Sequence, residues 1–550
     1  MSTDTRSSAE PSAEARPRKL RVAVIVDGDR LPRFARDAID AVQGCDEITV
    51  LSCMNTRFKR RPARHALYYA LNLVSVRNAW TRAVPIASSR KRIARTIRFQ
   101  STYGGAWQSL PEAIVAELAQ GGFDVILKFG MGLMRVPPPE ALPVPILSYH
   151  HGDPDWYRGR PAGFWEMVEG TPVMGQIVQI LSNRLDAGEV VAFAETRVLP
   201  HSYRATLIEA YRHSPLLIDQ AISRAVSGVP LAKRRDGRNY RLPSNAQVLS
   251  FVLKMAAALV RRVGYAAFFE QRWKVSLAHI AEGELQGLLD TLHLPEPARW
   301  HTLPIAPRYI YYADPFFSPH SRGVLVEAAN RWTGLGEIVH AEGEKQSRLS
   351  RERRHFSYPA SVETPAGALI VPEIAEWSTP RAYRLQDGAM TEALPLRIEA
   401  GARVVDPTIL EADGRFYLFG SPLDVGSTTL CLWCADSLDG PFRAHPMNPL
   451  RISPRGSRMA GGIVRVGDRL FRFGQNYARS YGDGIHVFEI TELSPERFAE
   501  RHLGEISLGD PKGPHTLNVR AGEIVFDWYR ERFSPLAGVR RAIARLRRRR

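Results

Sequence analysis

Cysteine is nearly absent, with four in 550 residues: Cys45 and Cys53 near the amino end, and a lone Cys-x-x-Cys at Cys431 and Cys434. A structural zinc site takes four ligands, usually from two such pairs. In "TTLCLWCAD" the two thiols sit on a strand-like run, where positions i and i+3 face opposite ways. Buried thiols in a reducing compartment are therefore expected, and no metal site. Long apolar runs are also missing. The nearest, "VLSFVLKMAAALVRRVGYAAFF" (Val248–Phe269), is interrupted by Lys254, Arg261 and Arg262 and reads as one amphipathic helix rather than a membrane span. The first residues have no apolar leader core, so 1–19 reads as a disordered tail. No zinc-finger spacing or other nucleic-acid module occurs, and no GxGxxG follows the first strand, so neither a specific nucleic-acid partner nor a dinucleotide site is indicated.

Acidic residues are locally absent. From Arg57 to Arg98 there is no Asp or Glu, and the chain ends in "VRRAIARLRRRR", within a net charge of +17. Such runs suit polyanions (nucleotide diphosphates, nucleic acid, an anionic membrane face) and equally read as solvated surface.

What is present is a change of texture. The length calls for two or three domains. "LRVAVIVDG", "EITVLSC", "FDVILKFG", "PVPILSYH" and "GQIVQI" are apolar, β-branched runs that alternate with helical spacing, the last helical pattern running from about Ser202 to Ser227. The alternation predicts a doubly wound, Rossmann-like α/β domain over 20–228, with a basic insertion at 54–108. A linker and the amphipathic helix fill 229–272. From 273 to 532 one phrase recurs five times: a polar or small residue, an apolar strand, a Gly turn, a second apolar strand. Its spacing predicts an all-β five-bladed propeller. A basic tail, 533–550, follows.

Chemistry at an open parallel sheet sits beyond the carboxyl ends of its strands. "SYHHGDPDWYRGRP" places His150 there, and "NRLDAGEVV" places Asp186 in a turn after the next strand. An imidazole beside a carboxylate is a general acid/base pair, suited to acyl transfer to an amine. His151 and Asp153 either orient that amine or cap the following turn.

The order of these segments resembles the formyltransferase family that uses 10-formyltetrahydrofolate. Its signature is Asn-x-His, then Arg-Gly, then Asp-x-Gly. His150, Arg158, Gly159, Asp186 and Gly188 match at the family's spacing, over roughly residues 20–228. The resemblance implies that His150 polarises the formyl oxygen, that Asp186 takes the amine proton or holds a water, and that the backbone of "KFGMGLM", with Gly130, Met131, Gly132 and Leu133, lies along the pterin. Ser148 stands where the family has Asn. Loss of one oxyanion donor costs roughly 2.7–4 kcal/mol, so Ser148 implies a slower enzyme, another donor such as His151, or a changed reaction. Gln179 replaces the family's second His.

In the repeats, "ADPFF" (Asp314) and "VDPTIL" (Asp406) resemble the five-bladed glycoside hydrolases of family 43. Ala460 stands where that family places its acid, with Glu373 a substitute. "RMAGG", "RFGQN", "YGDGI" and "GPHTLN" resemble the propeller domain that precedes the transferase domain in plant glucosamine inositol-phosphorylceramide transferases, over roughly 273–530. Arg458, Gln475, Tyr481, His515 and Asp527 are the further funnel candidates.

The expected function is thus an N-formyltransferase that takes 10-formyltetrahydrofolate as co-substrate and a phosphate-linked amino sugar as acceptor. It would work in the cytoplasm, peripherally at the inner membrane face through its basic segments. A scaffold with a decayed transferase fold and a glycosidic-bond enzyme working through the propeller are the alternatives.

Overall fold

The computed structural model describes residues 19–55, 62–232, 236–281, 283–319, 321–364, 367–374, 379–386, 388–425, 428–520 and 522–548, with side chains up to 543. Residues 1–18 of the expected tail and 549–550 lie outside them.

The amino-terminal half is built on one seven-stranded sheet, with smaller two- and three-stranded sheets beside it. Its strands are β1 (Val22–Asp27), β2 (Glu47–Cys53), β3 (Arg92–Phe99), β4 (Val125–Lys128), β5 (Ile146–His150), β6 (Val173–Ile180) and β7 (Glu189–Arg197). The order across the sheet is β7-β6-β5-β4-β1-β2-β3. Strands β3, β2, β1, β4 and β5 are parallel, and the central ones are apolar throughout because both faces are covered. Two findings correct the sequence reading. Strands β6 and β7 run antiparallel, so the sheet is mixed and not wholly of crossover type. And β3 lies inside the stretch read as an insertion. It pairs with β2 as an edge strand whose outward Arg92 and Arg95 meet Glu47 and Glu117. Charged side chains are what keep an exposed edge from pairing with another chain.

Helices α1 (Arg33–Ala41) and α2 (Glu112–Gln120) cover the sheet with α3 (Tyr203–His213) and α4 (Ile218–Ser227). The last two were read as one helix; a short turn at Ser214–Leu217, carrying Pro215, separates them. Helix α5 (Asn245–Phe268) opens with a capping box in which the Ser244 hydroxyl accepts from the Gln247 amide. Part of the expected basic tail is helical too: α6 (Ala537–Arg548) lies against α5.

The carboxyl-terminal half holds five antiparallel sheets. Four follow one another from Tyr309 to Ile506, beginning with the strands Tyr309–Phe317, Phe356–Val362, Val404–Ala412 and Arg455–Met459. The fifth joins both ends of the region: Phe269–His279 pairs with Glu523–Phe533, which pairs with Leu517–Arg520. The first strands touch one another in sequence, and Leu517–Arg520 touches Tyr309–Phe317. Cys431 and Cys434 fall in different apolar clusters on opposite faces of their strand.

The halves meet along β7. Glu195 accepts from Ser453 Oγ at 2.8 Å and from Arg455 at 3.3 Å, and Ile452 packs into the amino-terminal core. His213 bonds the Val425 carbonyl at 3.0 Å. The free edge of the sheet is thereby covered.

Candidate functional site

Strand β5 delivers His150 to its carboxyl end, where a cavity of about 1050 Å³ opens, lined by Asp27, Gly132, Leu133, His150, Gly159 and Asp186 among others. His150 Nδ1 lies 3.4 Å from Asp186 Oδ1, while its Nε2 is 3.1 Å from the Tyr157 carbonyl oxygen. Asp186 is fixed from behind. Its backbone is left-handed (φ 45°), and its Oδ2 accepts the Gly159 amide at 2.9 Å. Arg158 does not line this cavity. It donates to the Leu185 carbonyl at 3.1 Å and so holds the loop that presents Asp186.

The turn after β4 is also built for this place. The Phe129 and Gly130 amides both donate to the Ile25 carbonyl, and Met131 N donates to Asp27 Oδ1 at 2.8 Å. A Cβ on Gly130 would come within 2.6 Å of the Asp27 amide, so only glycine lets the turn close on β1. Gly132 and Leu133 then face the cavity, whereas the Met131 side chain is buried in the core.

Several candidates lie elsewhere. His151, next along from His150, points to the opposite face as strand alternation dictates. Its Nε2 meets Ser214 Oγ at 2.9 Å, and its ring packs on Tyr211 and Phe34. Burial, with His150 adding to it, holds that ring down at about 3, so it is a neutral core histidine and no substrate group. Asp153 Oδ1 accepts the Asp155 amide at 2.9 Å, which is the turn-capping role. Ser148 shares the face of His150 but lies two residues deeper and does not wall the cavity. Gln179 is buried, and its Oε1 accepts the Gly188 amide at 3.0 Å, so both support the Asp186 loop from beneath.

Much of the wall comes from segments read as insertion and linker. His65, Tyr103 and Gln108 belong to 54–108. Asn239, Tyr240 and Arg241 belong to the stretch after Gly228, where Arg238–Tyr240 pairs in parallel with Tyr157–Gly159. Arg160 adds a further cation. Behind His150, Glu166 is 2% exposed, and burial pushes its carboxyl up to about 8. Nothing in the local pattern marks these residues, because pairings over so many residues are set by packing.

The sheets gather a second polar cluster. Asp314, Tyr358 and Asp406 occupy the same place in three successive first strands, each before a proline, with φ of 47°, 46° and 49°. The register slips at each of them, a bulge that re-aims the side chain. Tyr358 is wholly buried, and its hydroxyl bonds Thr408 at 2.9 Å and the Gly461 carbonyl at 3.1 Å. Asp314 and Asp527 flank His515, with Nε2–Oδ1 at 3.1 Å and Nδ1–Oδ2 at 2.6 Å. Burial opposes the charge on His515, yet Asp527 and Asp314 together raise it to about 10. These three bring ligand-type atoms within 4.8 Å of one another, but at ion-pair distances, with the imidazolium holding the central place. Arg458 grips Asp406 with Nε and Nη2, and Gln475 donates to the same carboxylate at 3.1 Å. Burial and Asp406 push Glu373 up to about 8. Glu327, not singled out from sequence, is also buried and raised, by burial and then by Asp314. Its signal was positional: like Glu373 it pairs opposite the residue that precedes the bulge, Ala313 for Glu327 and Ser357 for Glu373. Trp273 and Tyr481 stand over His515, with ring centroids 4.4 and 5.1 Å away.

Residues 313–519 match a family model described as "Glucosamine inositolphosphorylceramide transferase 1, N-terminal". The glucosamine inositolphosphorylceramide transferase 1 of Arabidopsis thaliana is 28% identical over 173 residues, 30% of this chain and 22% of that protein. The chain thus spans about a fifth of the length of the curated relatives it matches. Among solved structures, the glycinamide ribonucleotide transformylase 1 of Symbiobacterium toebii is 19% identical, covering 42% of this chain and 99% of its own, with a TM-score of 0.25. A GH43_1 enzyme of Xanthomonas citri, complexed with xylotriose, is 15% identical over 37% of this chain and 78% of its own, with a TM-score of 0.27. TM-scores this low establish no function.

Proposed function

We propose that the amino-terminal half moves a formyl group from 10-formyltetrahydrofolate to the amino group of a phosphate-linked sugar, and that the five sheets form a five-bladed propeller that recognises the glycan. The observation that carries this reading is the His150–Asp186 pair, 3.4 Å apart on the wall of an open cavity at the carboxyl ends of parallel strands. The matching Arg158-Gly159 and Asp186-x-Gly188 spacing supports it. So does the match of residues 313–519 to the amino-terminal part of a glucosamine transferase, which favours a glycan context. The four cysteines are free, which supports a reducing compartment such as the cytoplasm.

The residues fit a folate. The cavity is at the upper end of small-molecule sites, with a backbone cradle at Gly132–Leu133 and apolar wall from Leu133, Leu185 and Leu242. When bound, the folate supplies a formyl carbon that exchanges its bond to the donor nitrogen for one to the amine, which loses a proton as the donor nitrogen gains one. His150, on the cavity wall beside Asp186, is placed to donate a hydrogen bond to the acyl oxygen as negative charge grows there. Asp186 orients the imidazole and accepts the amine proton, directly or through water. Arg160 and Arg241 supply positive charge on the wall for a phosphate.

The scaffold reading has one observation in its favour: Ser148, in the place of the family's Asn, lies off the cavity wall. Glycosidic chemistry is disfavoured. Ala460 stands where the family 43 acid would be, Asp406 has both oxygens bonded by Arg458 and Gln475, and Asp314 Oδ1 is bonded by His515 and Thr516.

The test is incubation with 10-formyltetrahydrofolate and a panel of nucleotide-linked and lipid-linked amino sugars. A mass gain of one formyl group on one acceptor, lost in His150→Ala and Asp186→Asn, is expected. No gain on any acceptor favours the scaffold.

A further inference from the structure

Helix α5 buries only Val248 and Phe251 among its large apolar residues. Leu249, Val252, Leu253, Val260 and Val263 lie within one stripe at helical spacing and are exposed, Val260 by 72%. Beside it, α6 exposes Leu536, which precedes it, with Val539 and Ile543, and Phe533 continues the patch with its ring near Phe268. Single exposed apolar residues need no explanation, but a contiguous patch on two adjacent helices marks an interaction surface.

The charge on the two helices has one sign. No Asp or Glu occurs in 245–268 or in 532–550, whereas Lys254, Arg261, Arg262, Arg540 and Arg541 do. A helix with apolar residues on one face and cations flanking them lies in a membrane interface rather than across it. No helix among the described residues is long and apolar enough to cross. A second copy of this chain seated on the same face would set cations against cations.

Behind the patch is a cavity of about 1130 Å³ between α5, α6 and the sheets. Its wall carries Arg272, Arg331, Arg532, Arg540 and Arg541 against one carboxylate, Glu270. Phe533 and Ile543 belong both to this wall and to the exposed patch, so the cavity opens where the patch ends. At its other end it reaches Trp273 and Tyr481, the aromatic rings above His515.

We propose that the α5–α6 face docks on an anionic bilayer and that the arginine-lined cavity behind it receives the phosphate of a lipid head group from that bilayer. The apolar stripe and Phe533 enter the interface, Arg261 reaches the head groups from the flank, and the head group extends towards Trp273 and Tyr481. This inference does not rest on formyl transfer, and its test reads binding alone.

The full chain is floated with phosphatidylcholine vesicles and with vesicles in which about a third of the lipid is phosphatidic acid, across a salt series. Binding to the anionic vesicles only, weakening with salt, is expected. Leu253→Glu with Val260→Glu, both solvent-facing, abolishes it while the thermal midpoint holds. Arg532→Gln with Arg541→Gln weakens it roughly thirtyfold, at about fivefold per cation. Equal binding to both vesicle types overturns the docking face, as does undiminished binding by the Glu pair. A dimer in gel filtration that the Glu pair converts to monomer, without vesicle binding, assigns the face to a second copy instead. Full competition by millimolar inorganic phosphate overturns the lipid head group as the cavity's ligand in favour of a free phosphate.

Discussion

His150 stands between two acceptors: the Tyr157 carbonyl oxygen at 3.1 Å from Nε2 and Asp186 Oδ1 at 3.4 Å from Nδ1. A carbonyl oxygen can only accept, so Nε2 carries hydrogen. The Asp186 carboxylate faces the other ring nitrogen and so fixes the plane of the imidazole. Asp186→Asn removes the proton acceptor. Tetrahydrofolate release is expected to fall by about 10²–10⁴-fold with the thermal midpoint unchanged. Release at the parental rate would remove Asp186 from the chemistry.

Gly159 has φ 90°, and a Cβ there would sit 2.2 Å from the Tyr240 carbonyl oxygen. Gly159→Ala therefore pushes Arg238–Tyr240 off Tyr157–Gly159 and disturbs the amide that Asp186 accepts. Transfer is expected to drop at least as far as in a variant lacking one hydrogen-bond donor, about a hundredfold. Parental kcat and KM in this variant would show that the pairing does not position Asp186.

His151→Ala tests the opposite claim, that the neighbouring imidazole is structural. It opens a hole among Phe34, Tyr149 and Tyr211 and removes a partner of Ser214. Stability should fall by about 2–4 kcal/mol in denaturant unfolding, with KM for both substrates unchanged. A raised KM at full stability would return His151 to the site.

Stability should have a pH optimum on the acid side of neutral. His515 is raised from the usual 6.5 to about 10, so what it contributes is complete below pH 6.5 and is lost as pH rises towards 10. Glu373 and Glu166, raised from 4.5 to about 8, hold their protons longer in the folded chain, and stability falls from pH 4.5 towards 8. His151, lowered to about 3, acts in the other direction: stability falls as pH drops from 6.5 towards 3. Thermal midpoints from pH 3 to 10 check this. Glu373→Gln should flatten the decline between 4.5 and 8 and leave the later, His515 decline in place.

Arg472 is fully buried, donating to both Glu500 oxygens at 2.9 Å and to the Gly456 carbonyl at 2.7 Å, with its guanidinium 4.3 Å from the Phe488 ring centre. Glu500→Ala strands that cation and should cost about 3–5 kcal/mol. Arg472→Met together with Glu500→Leu should recover most of the loss. Equal stability of single and double variants would show the pair to be unimportant.

The sequence by itself determined what depends on neighbours along the chain. Burial imposes a period on the strands and helices, so the apolar run Ile146–Leu147 reads as a strand and puts His150 at its end. The recurring Asp-Pro and Gly turns likewise mark the successive sheets, since each turn must obey local backbone sterics. Tertiary packing decided the rest. Strand alternation turned His151 into the core, where Ser214 and three aromatic rings met it, although both histidines look alike in sequence. Strand β3 and Arg238–Tyr240, read as insertion and linker, became part of the sheet and of the cavity wall. Phe269–His279 found Glu523–Phe533 across the length of the β region. Pairing energy depends on which surfaces are buried together in three dimensions, and a short stretch of sequence does not encode its distant partner.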